Sequence, residues 1–254
     1  MSKEAARRKY RNPPITEAVC EFRFVPGQEW DLTIPGKVHE RLRESYSGKP
    51  KQQRMVQAQL SPKDGGLSVS ELGLRVQLVD SKGERLLTLG PDLISVHVFQ
   101  PYKGWEVFRE GIFEAFRAYR EVAEPKGVSR IGLRYINKIK IPETEVELAD
   151  YFTKPPVTPD EFPEPMTKVQ HRSEAYYNDN VRLIFNLSSV RDPDSMTALF
   201  LVDLDLEWSG EDPLEDEADI RETLEDLRNK ERQAFEALIT DRTRELFDEH
   251  NDEP

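Results

Sequence analysis

The chain has 254 residues, of which 37% are hydrophobic and 33% are charged, and its formal net charge is −12. That length suits one large domain or two small ones with a buried core. No apolar run approaches the roughly 20 residues that span a bilayer. The basic N-terminus leads into Pro13 and Pro14 rather than an apolar stretch, so neither a membrane segment nor a secretory signal is expected. The single cysteine, Cys20, excludes an internal disulfide and a multi-cysteine zinc site. We therefore expect a cytoplasmic protein.

Charge is concentrated at the two ends of the chain. Residues 211–254 hold 17 acidic and 6 basic residues, whereas residues 1–12 hold five basic residues and one acidic residue. An acidic protein repels phosphate backbones, so nucleic-acid binding is disfavoured. The acidic C-terminal region is expected to be a solvated helix face or a surface that docks on a basic protein. The basic N-terminal arm, residues 1–14, is expected to pair with it within one chain or in a homodimer.

The first half of the chain, residues 15–126, alternates predicted strands and helices. In residues 17–25, EAVCEFRFV, apolar side chains recur at every second position and predict a strand with one buried face, formed by Ala18, Cys20, Phe22 and Phe24. A helix is predicted over 35–46, followed by strands over 55–60, 72–80, 85–89 and 93–100, with a hairpin turn at 81–83. Residues 104–122 carry apolar side chains three and four apart and predict a long amphipathic helix.

The second half, residues 127–250, begins with the most regular strand pattern in the chain. In residues 129–141, SRIGLRYINKIKI, one predicted face carries Ile131, Leu133, Tyr135, Asn137, Ile139 and Ile141. The opposite face carries four basic side chains: Arg130, Arg134, Lys138 and Lys140. A short helix over 148–152 and strands over 169–177, 181–188 and 198–208 are predicted next. A long helical region is predicted over 214–248.

The two halves share an order of elements and predict an α+β fold with an internal duplication. Each half is predicted to be a β-α-β-β-β-α unit, and GLRVQLV at 73–79 is similar to NVRLIFNL at 180–187. Duplication predicts two antiparallel sheets, each covered by its long helix. The alternative is that many α+β domains have this order of elements without a duplication.

Three separated segments resemble the characteristic stretches of a sporadically distributed bacterial family of uncharacterised function. They are NPPITEAVCEFRF at 12–24, RIGLRYINKIKIP at 130–142 and FEALITDRTRELF at 235–247, so the resemblance spans nearly the whole chain. Lys230 and Glu231 stand where the family pattern has a histidine, which argues against a shared histidine site. The resemblance implies no established activity. The family's patchy distribution resembles that of mobile, defence-associated genes.

The motifs of several common chemistries are absent from the sequence. There is no G-x-x-x-x-G-K-[ST] phosphate loop and no G-x-G-x-x-G between a strand and a helix. The four histidines, His39, His97, His171 and His250, show no ligand spacing, so neither a metal nor another cofactor is expected. Cys20 alternates with phenylalanines on the predicted core face, where burial raises the pKa of a thiol and makes it inert.

Two predicted strands carry the charged patterns that are best placed to form a site. In FLVDLDLEW at 200–208, Asp203, Asp205 and Glu207 share one face. Three acids at alternate positions can hold a hard cation if another strand adds oxygens. The alternatives are a solvated sheet face, or ion pairs with the basic face of 130–140 that fix strand pairing and register. An unpaired basic face would instead suit an acidic partner or RNA, with Tyr135, Tyr176 and Tyr177 as stacking candidates, but Tyr135 lies on the opposite face of its strand.

Three functions follow from these patterns. The first is a non-enzymatic binding or adaptor protein whose partner is another protein. The second is a carboxylate-dependent enzyme or small-ligand-binding protein with a site between the two halves. The third is nucleic-acid binding through the basic strand. No catalytic residue is assigned, and the candidate ligand- or partner-binding residues are Arg130, Arg134, Lys138, Asp203, Asp205 and Glu21.

Overall fold

A computed structural model describes residues 8–27, 29–60, 67–156, 168–190 and 196–250, with side chains except at 54–60, 67–73 and 250. Nine strands of this part of the chain form one large antiparallel sheet, and two short strands form a second sheet. The α+β class predicted from the sequence is therefore confirmed. The elements are β1 (Lys9–Tyr10), β2 (Ile15–Val25), α1 (Thr33–Arg41), β3 (Lys51–Leu60), β4 (Leu67–Val79), β5 (Arg85–Leu89), β6 (Leu93–Phe99), α2 (Trp105–Ala123), β7 (Gly127–Ile141), α3 (Leu148–Tyr151), β8 (Gln170–Asn178), β9 (Val181–Val190), β10 (Ala198–Leu214), α4 (Glu217–Leu238), α5 (Asp241–Glu245) and β11 (Glu249–His250).

The chain divides into two compact units, each assembled from separate stretches of sequence. Unit 1 comprises residues 1–18, 132–209 and 217–254, and unit 2 comprises residues 19–131 and 210–216. Strands β2, β7 and β10 each contribute residues to both units.

In unit 2 the strands lie in the order β3-β4-β5-β6-β2-β7. The predicted core face of β2 is confirmed, since Cys20, Phe22 and Phe24 are at most 5% exposed. Helix α2 packs on these residues. The Phe22 ring lies 5.2 Å from that of Phe116, and Phe24 stacks on Tyr119 with ring centroids 4.7 Å apart. The 3.6-residue periodicity of α2 therefore places its aromatic stripe on the sheet.

In unit 1 the strands lie in the order β2-β7-β10-β9-β8. The alternation predicted for β7 is confirmed, because Leu133, Tyr135 and Ile139 are fully buried whereas Arg134 and Lys138 are exposed. Ile220, Leu224, Leu227 and Phe235 form the buried stripe of α4. The core cluster of this unit contains Ile139, Ile141, Leu148, Tyr151, Phe152, Leu187, Phe200, Val202, Leu204, Phe235, Ile239 and Phe247.

The C-terminal region differs from the single helical region predicted over 214–248. Strand β10 continues to Leu214, α4 ends at Leu238, and α5 begins after Thr240. The side chain of Thr240 accepts a hydrogen bond from the backbone nitrogen of Thr243, which is an N-cap that starts a new helix. Helix α1 is also shorter than predicted, because it ends at Arg41 rather than at 46.

The element order differs in one respect from the repeated unit predicted from the sequence. Four strands, β3 to β6, follow α1, whereas three strands, β8 to β10, follow α3. The formula β-α-β-β-β-α therefore describes residues 127–238, and residues 15–123 contain one strand more.

The described part of the basic N-terminal arm pairs with the C-terminal end of the same chain. Residues 1–7 of the arm lie outside the described residues. Strand β1 pairs antiparallel with β11, and Arg8 Nη1 lies 3.0 Å from Glu249 Oε1. The Tyr10 hydroxyl donates to Glu236 of α4 over 2.7 Å. The pairing expected from the opposite charges thus occurs within one chain.

Candidate functional site

One face of the unit 1 sheet is formed by charged side chains that alternate with the core residues. Arg134 on β7 and Asp203 on β10 form a bidentate ion pair, since Nε donates to Oδ1 and Nη2 donates to Oδ2, both over 2.7 Å. The Asp203 side chain is only 13% exposed, and the pKa of Arg134 is raised chiefly by its hydrogen bond to Asp203. This is the cross-strand pairing that the opposite charges of the two strands favoured.

The charged face continues across β9 and β8 in the register of the sheet. Asn186, which lies opposite Asp203, donates from Nδ2 to Asp203 Oδ2 over 3.1 Å. Arg182 lies opposite Glu207 and donates to its Oε2 over 3.1 Å and to Glu174 Oε2 over 3.3 Å. Carboxylates and donors therefore alternate across three strands, and the acidic strand predicted as a cation site is one side of this network.

Unit 2 contains a second, smaller group of charges on β2 and β7. Glu21 Oε1 accepts hydrogen bonds from Arg130 Nη1 over 2.8 Å and from Arg23 Nε over 3.0 Å. Arg23 also lies 3.4 Å from Asp92. Glu21 is thus held between two guanidinium groups, and its contact with Arg130 connects β2 to β7.

The six predicted site residues therefore fall into groups that belong to different units. Arg130 and Glu21 pair in unit 2, and Arg134 and Asp203 pair in unit 1. Asp205 lies two residues after Asp203 on the same face of β10, opposite Ile184. Lys138 is exposed on β7, and its backbone nitrogen donates to the carbonyl of Pro14.

The geometry of Asp203 suits a structural acceptor better than a metal ligand. Both of its oxygens already accept hydrogen bonds from nitrogen donors of Arg134 and Asn186. Within the described ranges, no group of three or more His, Cys, Asp or Glu residues is arranged to hold a metal ion. The charged and polar side chains on this face bind one another, and this pairing fixes the register of β7, β10 and β9.

Glu231 is a buried charge outside the set of candidate site residues predicted from the sequence. It lies on α4 at 3% exposure, where Arg228 Nη1 donates to Oε2, and the Arg228 guanidinium carbon lies 4.6 Å from the Tyr135 ring centroid. Burial raises the pKa of Glu231, and the nearby Arg228 and Arg232 lower it less. Its position four residues after Leu227 and four before Phe235 was the available signal, because that spacing places it on the buried stripe.

Two concave features of the described residues bear on ligand binding. The larger, of about 270 Å³, lies in unit 1 where the β8–β9 turn, β10 and α4 meet, and it is lined by Asn178, Asn180, Val181, Trp208, Glu222, Thr223 and Asp226. The other, beside Pro101 and Phe108 in unit 2, has a volume of about 20 Å³. That volume suits about one water molecule, so of these two features the first is the one with room for a ligand group.

Cys20, Ser95 and His39 each have a structural partner or are inaccessible. Cys20 is completely buried, and burial raises its pKa. Ser95 Oγ lies 2.9 Å from His97 Nε2, but Ser95 is only 6% exposed. His39 Nε2 lies 3.0 Å from the carbonyl oxygen of Tyr46. Attack on a substrate by Cys20 or Ser95 therefore requires a local opening of the fold.

Among the described strands, β8 is the edge of the unit 1 sheet, with β9 as its neighbour on one side. Gln170 lies opposite Ser188, and the Ser189 nitrogen donates to the Val169 carbonyl over 2.9 Å. Hydrogen-bonded and non-hydrogen-bonded pairs alternate along an antiparallel ladder. The backbone groups of the residues at even positions from 170 to 176 therefore point away from β9.

The side chains of β8 are unusually open to solvent for a strand. Residues 172–178 are all exposed, and the two tyrosines near the end of the strand, Tyr176 and Tyr177, are 68% and 44% exposed. Arg172 and Glu174 contact each other over 2.6 Å on the same face. The edge thus offers backbone donors and acceptors, one charge of each sign and two aromatic rings.

Comparisons with known proteins provide no family for this chain. No family model and no curated protein matches it. Among solved structures, the S. pombe Pct1 RNA triphosphatase, alone and in complex with the Spt5 CTD, aligns with 94% of this chain and with 87% and 88% of the respective chains. Sequence identity is 10% and the TM-score is 0.14 in both alignments, and a likeness that low supports no inference. None of the described helices is both long and apolar enough to cross a membrane.

Proposed function

We propose that the chain is a non-enzymatic binding or adaptor protein that contacts another protein along the edge of β8. The observation that carries the proposal is the outward-facing backbone of β8 together with the exposed rings of Tyr176 and Tyr177. An extended segment can add to such an edge by main-chain hydrogen bonds, while side-chain contacts select the sequence. Tyrosine is enriched at protein interfaces because it offers a large rigid surface and a polar tip.

The charged residues proposed from the sequence support a binding protein rather than an enzyme. Arg134 binds both oxygens of Asp203, and Glu21 lies between two arginines, so these carboxylates act as partners of neighbouring strands. Catalytic carboxylates are more often held in a cleft, where their environment poises them for proton transfer. The genomic setting that we propose, a mobile or defence-associated system, rests only on the family resemblance.

Photo-crosslinking at β8 tests the proposed function. A photoreactive phenylalanine analogue placed at Tyr176 should form an adduct with one recurrent protein in cells that carry the chain. Met196 is 80% exposed in the same unit and lies outside β8, so the analogue at Met196 is the matched control. The proposal fails if position 176 yields no protein adduct, the same adducts as position 196, or nucleic acid.

The cavity beside Trp208 favours a second function, binding of a small ligand. Its volume of about 270 Å³ lies just below the roughly 300–1,000 Å³ of sites for drug-sized molecules. An indole ring, asparagine amides and two carboxylates suit a small polar cation. Trp208→Phe identifies the Trp208 indole signal in a 15N-correlated NMR spectrum. Displacement of that signal by an amine such as ethylammonium, but not by acetate, would support this function.

We also propose an ancient duplication of residues 15–123 and 127–238. Its support is strand order: β2 is followed across the sheet by β6, β5 and β4, as β7 is followed by β10, β9 and β8. A long helix follows β6 and β10 in the same manner. Strand order makes β4 correspond to β8. The similarity between GLRVQLV and NVRLIFNL instead matches β4 with β9, the strand next to β8.

A further inference from the structure

The edge of β8 is complementary to itself, and this property identifies a partner for it. Suppose that two copies of β8 pair antiparallel about a twofold axis through Ser173. The numbers of any two residues that face each other across the two copies then add to 346. Arg172 of one copy then lies opposite Glu174 of the other, and Gln170 lies opposite Tyr176. All four of these residues have outward-facing backbone groups, so the hydrogen-bonding pattern of β8 permits this register.

Charge distinguishes this register from its neighbours within the strand. An axis through Arg172 places that arginine opposite itself, and an axis through Glu174 places that carboxylate opposite itself. Like charges directly opposite each other are destabilising. Of these three axes, only the one through Ser173 places Arg172 of one copy opposite Glu174 of the other. The strand is then complementary to itself, as a twofold-symmetric interface requires.

We propose that this protein forms a twofold-symmetric homodimer through antiparallel pairing of β8, with Ser173 at the axis. The inference rests on the proposed function, since it names a second copy of the chain as the segment that β8 binds. The four hydrogen-bonded residue pairs supply about eight backbone hydrogen bonds. Arg172 and Glu174 are 55% and 37% exposed, so their pairing sets register and orientation more than affinity.

The dimer is expected to be reversible. One strand pair buries less than the roughly 1,200 Å² of a standard stable interface. Edge strands commonly carry charges and bulges that prevent random pairing. Strand β8 has both, with a register shift after Tyr176. The opposite signs of Arg172 and Glu174 disfavour the registers with either residue at the axis and favour the register with Ser173 at the axis.

A disulfide at the axis provides the sharpest test. In a non-hydrogen-bonded antiparallel pair the Cα atoms are about 4.5 Å apart, which lies within the disulfide range of roughly 4.4–6.8 Å. Ser173→Cys should therefore give a covalent dimer when glutathione disulfide is added. Ala175→Cys is the matched control, because Ala175 is opposite His171 of the other copy and its own counterpart lies about 13 Å away. The double variant H171C/A175C should cross-link, whereas each single variant should not.

A charge exchange tests the register in solution without a new covalent bond. Sedimentation of the wild-type chain should show a concentration-dependent dimer, R172E and E174R should each be monomeric, and R172E/E174R should recover the dimer. Far-UV circular dichroism confirms that each variant is folded. The inference is overturned if the wild type stays monomeric at millimolar concentration, or if Ser173→Cys cross-links no faster than Ala175→Cys. If position 176 nonetheless crosslinks to a different protein, the proposed function stands and only the homodimer fails.

Discussion

Replacing Glu231 with alanine tests how much the buried Glu231 side chain, which accepts a hydrogen bond from Arg228, contributes to the stability of unit 1. The Glu231 and Arg228 side chains are 4% and 13% exposed, and Arg228 also lies over the Tyr135 ring. Removing one partner of a buried pair typically costs about 3–5 kcal/mol because the other charge stays in the interior. At about 2–4 °C per kcal/mol for a chain of this size, Glu231→Ala should lower Tm by roughly 6–20 °C.

The pH dependence of this cost has a definite sign. Burial raises the pKa of Glu231 in the folded chain. A carboxyl with a raised pKa contributes stability that is complete below its unfolded pKa, about 4.3, and that is lost as pH rises through the folded value. The cost of Glu231→Ala, and of the non-titrating Glu231→Gln, should therefore decrease as pH rises from about 4.

Urea unfolding between pH 4 and pH 8, followed by circular dichroism, measures both effects. Glu222→Ala is the matched control, since Glu222 is exposed on the same helix and its replacement should stay within about 0.5 kcal/mol of wild type. The glutamine variant retains an acceptor oxygen for Arg228 and should cost less than the alanine variant. A cost for Glu231→Ala as small as that for Glu222→Ala, or one that grows with pH, would refute the reasoning.

Three further predictions concern the two cores and the charged face. Phe22→Ala and Leu133→Ala remove fully buried side chains and should each cost about 2–5 kcal/mol in urea unfolding, so wild-type-like curves would contradict the assigned faces. Asp203→Asn weakens an ion pair whose arginine is 44% exposed, and we expect a loss of about 1 kcal/mol or less that shrinks at high salt; a loss that salt does not change would contradict it. Cys20 should react with an aromatic disulfide reagent only after unfolding, and rapid reaction of the folded chain would show that its burial is incomplete.

Local periodicity predicted most of the elements correctly. Apolar residues at every second position defined the buried faces of β2 and β7, and apolar residues three and four apart defined α2, because each pattern reports one face of one element. The end of α4 was missed although Thr240 carries an N-cap signal, since the apolar residues continue in helical spacing on both sides of it. Strand β10 continues through Pro213, beyond its predicted end at 208, because tertiary pairing can extend a strand beyond its local preference.

The partners of the charged residues required the fold. Alternation showed that Arg134 and Asp203 each lie on a polar face, and opposite charge favoured their pairing. The alternation of side chains could not show that Glu21 would bind Arg130, 109 residues away, because no local pattern encodes which strands are neighbours. Nor could composition show that β8 is an edge, which depends on the order of all the strands in the sheet.

The interleaving of the two units along the chain has a consequence for synthesis on the ribosome. The Asn12 nitrogen binds the Phe247 carbonyl over 3.0 Å, and the first residues of β2 belong to the same unit as α4 and α5. At about 5–20 residues per second, translation from residue 12 to residue 247 takes roughly 12–47 s. Throughout that interval the leading segment has emerged without its C-terminal partners. Unit 1 can therefore be completed only after residue 247 has been synthesised, which makes its first strand a natural client for chaperones that hold nascent polypeptides.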